Sequence, residues 1–409
     1  PKSVIILVMT KKRWVATLIL VIVCIAITVL LWWQWQSNKN VAAPANSPLL
    51  SATSTNESLV IDQSLSSNML YVGEVFWGRG IEYYAKRSPL GYAFPFSGLT
   101  NSDKQEFDAW IGDMECPITD KDIPYQTQVD SLMFNCRPEY TAEAAKWFDV
   151  LTLANNHTDN NGGVWGIDQT RKNLDTAKIQ YFGDYNMANT QNICDVAAMP
   201  AIYDKGTGLP QEVTMPVALC GFDYVGNVQP KQAEFDVMKK YAKVMPVVAM
   251  PHMGVEYRPT AEPAKEAIYR DLIDNGADIV IGAHPHVVQN SENYKGRLIA
   301  YSTGNFMFDQ QPLGRDTTLT LGVGLKLQIK DAAVIDAYRT ATNCSAWHDD
   351  CLEQLSEKVQ SRPEILVSYS NRCFDQSSNV PKKASQAVCD DILNRATWKA
   401  ATAGLATTW

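Results

Sequence analysis

Four of the chain's five histidines fall in three short segments, each directly after an apolar, β-branched run. Ala154-Asn155-Asn156-His157 follows Val150 to Leu153, and His252 to Tyr257 follows Val244 to Met250. Gly282-Ala283-His284-Pro285-His286 follows Ile279 to Ile281. Runs of that kind, closed by turn residues, read as strands. Imidazole titrates near neutrality and is the commonest nitrogen ligand for metals. Histidines just past strand ends therefore predict a metal site at the rim of an α/β sheet, and with it a metal-dependent enzyme.

The rest of the pattern supports that fold class. From Asn68 to about Ile329 strand-like and helix-like stretches alternate, as in an α/β domain. Ala142 to Trp147, Val164 to Lys178 and Glu262 to Asn275 carry helical spacing of apolar residues. Met69 to Val72, Val213 to Cys220, Arg297 to Tyr301 and Thr317 to Ile329 read as strands. The expected domain covers residues 67–333. A cysteine-containing C-terminal segment, 334–409, follows, with a helix around Ala384 to Arg395.

Residues Trp14 to Trp33 form an uncharged apolar run of 20 residues, long enough to span ~30 Å of hydrocarbon as a helix. Lys11, Lys12 and Arg13 precede it, and only Lys39 is basic in the polar stretch beyond. That asymmetry places residues 1–13 in the cytoplasm and the rest of the chain outside, with Trp32, Trp33 and Trp35 at the outer interface. A cleaved signal peptide is the alternative. Met9 reads as a natural start. Residues 34–66, rich in Asn, Ser, Thr, Ala and Pro, read as a flexible linker. The localisation expected is therefore a single-pass cytoplasmic membrane protein with an extracytoplasmic domain.

Of nine cysteines, Cys24 lies in the apolar run, leaving Cys116, Cys136, Cys194, Cys220, Cys344, Cys351, Cys373 and Cys389. An even number outside the membrane agrees with an oxidising compartment. Sequential pairing is expected, with Cys344–Cys351 and Cys373–Cys389 the safest, although spacing alone does not fix connectivity. The formal charge of -8, without a basic cluster beyond the N-terminus, excludes nucleic acid as a partner. Gly322-Val323-Gly324 lacks the third glycine of a dinucleotide loop. His348 has no matching partners and is taken as a surface residue.

Six blocks occur in order: Gly73-Glu74 with Arg79 beyond, Asp113-Met114-Glu115-Cys116-Pro117, Ala154 to Asp159, His252 to Tyr257, Gly276 to His286, and Gly304 to Gln310. In that order they resemble the poly-γ-glutamate capsule biosynthesis (CapA-type) family, whose fold is similar to the calcineurin-like metallophosphoesterases. The resemblance spans roughly Met69 to Ile329 and implies an α/β/β/α sandwich. It implies that Glu115 bridges two metals, that Asn156, His252 and His284 complete one shell, and that Glu74 and His286 serve the other. His157 would be the catalytic proton donor or electrostatic stabiliser, with Asp159 orienting it or capping the next helix. Arg79, Asn155, Glu256, Tyr257 and Asn305 would bind substrate, Arg79 either meeting an anion or pairing with Asp113. The family pattern has Asp at position 74 and Asn at position 113, so Glu74 and Asp113 depart from it.

Independently of any family, mixed carboxylate, amide and imidazole ligands suit Mn, Fe or Zn, in one or two ions. His284 and His286 are two apart, so in an extended segment they project to one side, stiffened by Pro285. The function that the family resemblance implies is metal-assisted hydrolysis or transfer on an anionic cell-surface polymer, within a capsule-synthesis membrane complex. The alternatives are a metallophosphoesterase acting on a surface phosphoester and a non-catalytic polymer-binding or export scaffold.

Overall fold

The computed structural model describes residues 63–226, 228–341 and 349–409. The expected membrane span at 14–33, most of the linker, Cys344 and His348 lie outside these residues. Among the described residues no helix is long and apolar enough to cross a membrane.

The architecture is mixed α/β, organised on strand β1 (Ser64–Val75). On one side β1 pairs antiparallel with β12 (Leu319–Ile329), which pairs in turn with β13 (Leu366–Asp375). On the other side the strand divides its partners. Ser64 to Ser66 pair antiparallel with β5 (Cys194–Asp204), while Met69 to Val75 pair parallel with β2 (Ala109–Met114). β2 continues, all parallel, into β3 (Val150–Thr152) and β4 (Gln180–Phe182). β5 continues through β6 (Gln211–Asp223), β7 (Val247–His252), β8 (Ile279–Ile281) and β10 (Arg297–Ala300), the last four mutually parallel. β9 (Ser291–Tyr294) closes that edge, and β11 (Asn305–Met307) pairs parallel with the end of β1.

Side chains alternate across a strand, and β1 uses both faces. Met69 and Tyr71 enter one apolar core with the strands from β5 to β10. Leu70 and Val72 enter a second with Trp110, Phe148, Phe306 and Phe374. From Met69 to Val75 the strand is buried on both sides and shows no polar alternation, whereas Ser64 to Asn68 alternates between buried and half-buried residues.

Residues 334–409 extend this sheet. β13 lies along β12 in ten residue pairs, and Cys373–Cys389 ties it to the helix Gln386–Arg395. Two further disulfides join Cys116 to Cys136 and Cys194 to Cys220, as sequential pairing expects. The strand also begins earlier than the expected linker boundary, at Ser64.

Candidate metal centre

Two sets of parallel strands deliver their carboxyl ends to one place, where α/β sheets bind ligands. Glu74, next to last in β1, lies beside Asn305, and Asp113 near the end of β2 is in register with Thr152 of β3, just before Asn155 and Asn156. His252 ends β7 and bridges to Ala283, one residue before His284. The approach at β1 needs a glycine. A Cβ on Gly73 would lie 1.9 Å from the carbonyl oxygen of Gly304, which itself sits at φ 72°.

Glu115 is central and fully buried. Its Oε2 accepts from Asn155 Nδ2 at 2.6 Å and lies 3.8 Å from His252 Nε2. Its Oε1 is 3.9 Å from Nε2 of both His157 and His286. His252 Nδ1 meets Asp113 Oδ2 at 2.6 Å, while its Nε2 faces Asn156 Oδ1 at 2.9 Å and His284 Nδ1 at 3.1 Å. Glu74 Oε1 accepts from the backbone N–H of His284 at 2.5 Å. His286 Nδ1 is 2.9 Å from Asn305 Oδ1.

Burial dominates the electrostatics. It raises the Asp113 carboxyl to about 7 against the opposing Asn155 hydrogen bond. It pushes Glu115 well above the usual carboxylate range, helped by the negative charges of Glu74 and Asp113. The same desolvation holds His252 and His284 well below the ordinary imidazole value, and lowers His157.

Asp113, Glu115 and His252 each offer a ligand atom within 4.8 Å of the others, a group able to hold a metal ion. The polar atoms fit that use. Glu74 Oε2 and Glu115 Oε1 are buried without a hydrogen-bond partner, a costly state that a cation would relieve. When Nδ1 of His252 donates to Asp113, its bare Nε2 faces Asn156 Oδ1, which is also an acceptor. A carboxylate on the far nitrogen of a ligating histidine is a recurrent way to fix its tautomer.

A cavity of about 290 Å³ opens beside this cluster, lined among others by Arg79, His157, Glu256, Tyr257, His286 and Asp309. Exposed Tyr257 stacks near His286, with ring centroids 6.0 Å apart, and its hydroxyl accepts from Gln310 Nε2 at 3.1 Å. Four residues here, Arg79, Tyr257, His284 and His286, have positive φ, between 43° and 91°. Non-glycine residues rarely adopt this conformation, which gathers at functional sites. The His284–His286 segment is thus a turn rather than the extended stretch expected, because both histidines lie in or near the left-handed region.

Several expected roles meet a different placement. Asn155 and Asn305, expected against substrate, are fully buried. Asn155 instead holds the carboxylates of Glu115 and Asp113, and Asn305 sits behind His286 and gives its amide to Gln310 Oε1 and the Thr317 carbonyl. Arg79 pairs with Asp309, not Asp113, through both Nε (2.7 Å) and Nη2, so its charge is already matched. Asn160 rather than Asp159 contacts His157 Nδ1, at 2.7 Å. Nor does the Asp159 side chain cap the helix Val164–Ala177, whose N-cap is Gly163 without a side-chain hydrogen bond.

The bacterial capsule synthesis protein PGA_cap family model matches residues 68–310, more than half of the chain. The chain belongs to this family. The capsule biosynthesis protein CapA of Bacillus anthracis is 30% identical over 267 residues, 59% of this chain and 60% of that protein. The PGA biosynthesis protein CapA of Bacillus subtilis (strain 168) is 27% identical over 266 residues, 61% of this chain and 64% of that protein. The chain therefore covers less than two thirds of either relative's length.

Two residues of the centre were missed as participants. The sequence offers Asp113 as a departure from the family pattern and as a partner for Arg79, not as a neighbour of His252. Its spacing two before Glu115 at a strand end, which turns both carboxylates to one side, was the available signal. Asn160 had none, since nothing local says which of two neighbouring polar residues will reach an imidazole.

Proposed function

We propose that this PGA_cap protein is a membrane-tethered, extracytoplasmic metal-dependent enzyme of poly-γ-glutamate capsule biosynthesis. On this reading it catalyses hydrolysis or transfer on an anionic cell-surface polymer, as part of a capsule-synthesis membrane complex. Its domain is a metallophosphoesterase-like α/β/β/α sandwich. The observation that carries the reading is the buried meeting of Glu74, Asp113, Glu115, His252, His284 and His286 beside an open cavity. The capsule role rests on the family and on the names of the two Bacillus relatives. Three disulfides among the described residues support an oxidising location, and the apolar run at 14–33 supports the tether.

Asn156, His252 and His284 would hold one ion and Glu74 with His286 a second, Glu115 lying between them; Mn, Fe or Zn suits these donors. Such ions lower the pKa of bound water and stabilise charge on attacking and leaving oxygens. The chain's own residues do the rest. Asp113 fixes the His252 ring through Nδ1, and Asn155 holds Glu115 in place. Asn305 orients His286 so that its Nε2 faces Glu115. His157, at the cavity wall, handles a proton or the charge that develops on the substrate. Glu256 and Tyr257 line the same cavity and would meet the substrate there.

The test is an assay of the purified full chain, with Mn added, on γ-linked polyglutamate and on a simple phosphodiester. Release or transfer of glutamyl chains that disappears in His157→Ala supports the proposal. Turnover of the phosphodiester alone would make it a surface phosphoesterase, and turnover of neither would favour a scaffold.

A further inference from the structure

One side chain beside the centre is held by a partner whose chemistry is unambiguous. The backbone N–H of Phe134 donates to Asn160 Oδ1 at 3.1 Å, which fixes that atom as the amide oxygen. An amide oxygen accepts and cannot donate. The same oxygen lies 2.7 Å from His157 Nδ1, so Nδ1 carries the proton of that contact. A neutral imidazole has one N–H, and the unprotonated nitrogen is then Nε2, the atom 3.9 Å from Glu115 Oε1.

The surroundings leave the ring little freedom. The His157 backbone N–H donates to Asn155 Oδ1 at 2.9 Å, tying the loop to the residue that also holds Glu115. The Phe134 ring lies over the imidazole, with centroids 4.2 Å apart and planes at 30°. Phe134 is itself two residues from Cys136, whose disulfide partner Cys116 adjoins Glu115. Asn160 therefore couples the histidine and its stacking partner through one oxygen.

We infer that Asn160 is the positioning residue that sets the His157 tautomer, keeping Nδ1 protonated and presenting Nε2 as a bare acceptor toward the centre. An amide does this without adding negative charge beside Glu74, Asp113 and Glu115, where a further carboxylate would be repelled. The catalytic consequence rests on the function proposed above, while the tautomer itself does not.

The test is nitrogen-15 NMR of the histidine rings in the labelled full chain, with the His157 signals assigned by their loss in His157→Gln. The expected result is Nδ1–H with an unprotonated Nε2 in the wild type and in Asn160→Asp, which keeps the acceptor. Asn160→Leu, of similar size without an acceptor, should lose that preference. An Nε2–H tautomer in the wild type overturns the inference, as does an unchanged tautomer in Asn160→Leu. If Asn160→Leu does not fold, Asn160→Ala, which also lacks the acceptor, takes its place with the same expected and the same contradicting result. In the polymer assay, kcat should fall on the order of tenfold or more in Asn160→Leu and recover largely in Asn160→Asp, with KM and metal content little changed. Failure of the polymer assay alone would count against the proposed function and leave the tautomer result standing.

Discussion

At the scale of single residues, the centre concentrates acids whose burial makes them hold protons. With Asp113 raised to about 7, the metal-free protein keeps a proton there at pH 6, and burial shifts Glu115 in the same direction. A metal ion must displace that proton, so binding releases it and affinity rises with pH through about 7. Calorimetric titration of Mn into the chain at pH 6, in buffers of different ionisation enthalpy, should report release of about one proton or more. No dependence on buffer would show that these carboxyls are already ionised. A second expectation concerns His252. Replacing it with Ala removes a candidate ligand and strands the buried Asp113 carboxyl, so metal content should fall at least about tenfold, with a stability loss of about 1–3 kcal/mol. Retention of wild-type metal content in that variant would contradict its assignment as a ligand.

At the scale of elements, the site is made by strand ends, and the strands were the legible part. β3, β7 and β8 are short apolar runs buried on both faces, so their sequences declared them and placed the histidines just beyond. The partners across the fold were not legible. Arg79 meets Asp309 from 230 residues away, and no local pattern encodes that distance. The left-handed turn at His284 and His286 was hidden too: a residue before proline favours extended backbone, so His284 reads as strand-like, and its positive φ is set by the surrounding fold. Gly73 tests the packing of the strand ends. A methyl there would fall 1.9 Å from the Gly304 carbonyl oxygen, so Gly73→Ala should cost about 1–3 kcal/mol and shift Glu74. Chemical denaturation measures the first effect, and wild-type stability would refute the close contact. The Cys116–Cys136 disulfide binds the segment after Glu115 to the one carrying Phe134. Cys116→Ser with Cys136→Ser should lower both the melting temperature and metal retention, read by calorimetry and metal analysis. Unchanged metal retention would show that the disulfide does not support the centre.

At the scale of the whole molecule, the sheet gathers residues from Glu74 to His286 around one point, and the segment after Ala333 extends the same sheet. The sequence marked 334–409 by its cysteines and polarity, which say nothing about strand pairing. β13 carries only partly alternating burial along an edge, a weak signal in any single sequence. Family membership and the buried centre together make metal binding the property on which every other functional statement depends. Metal analysis by mass spectrometry of the purified full chain, beside a Glu115→Ala variant shown to be folded by circular dichroism, tests it most directly. The expected result is one to two Mn, Fe or Zn ions per wild-type chain and about a tenth of that or less in the variant. Equal metal content in the two, or none retained by the wild type after equilibration with these ions, would contradict the account.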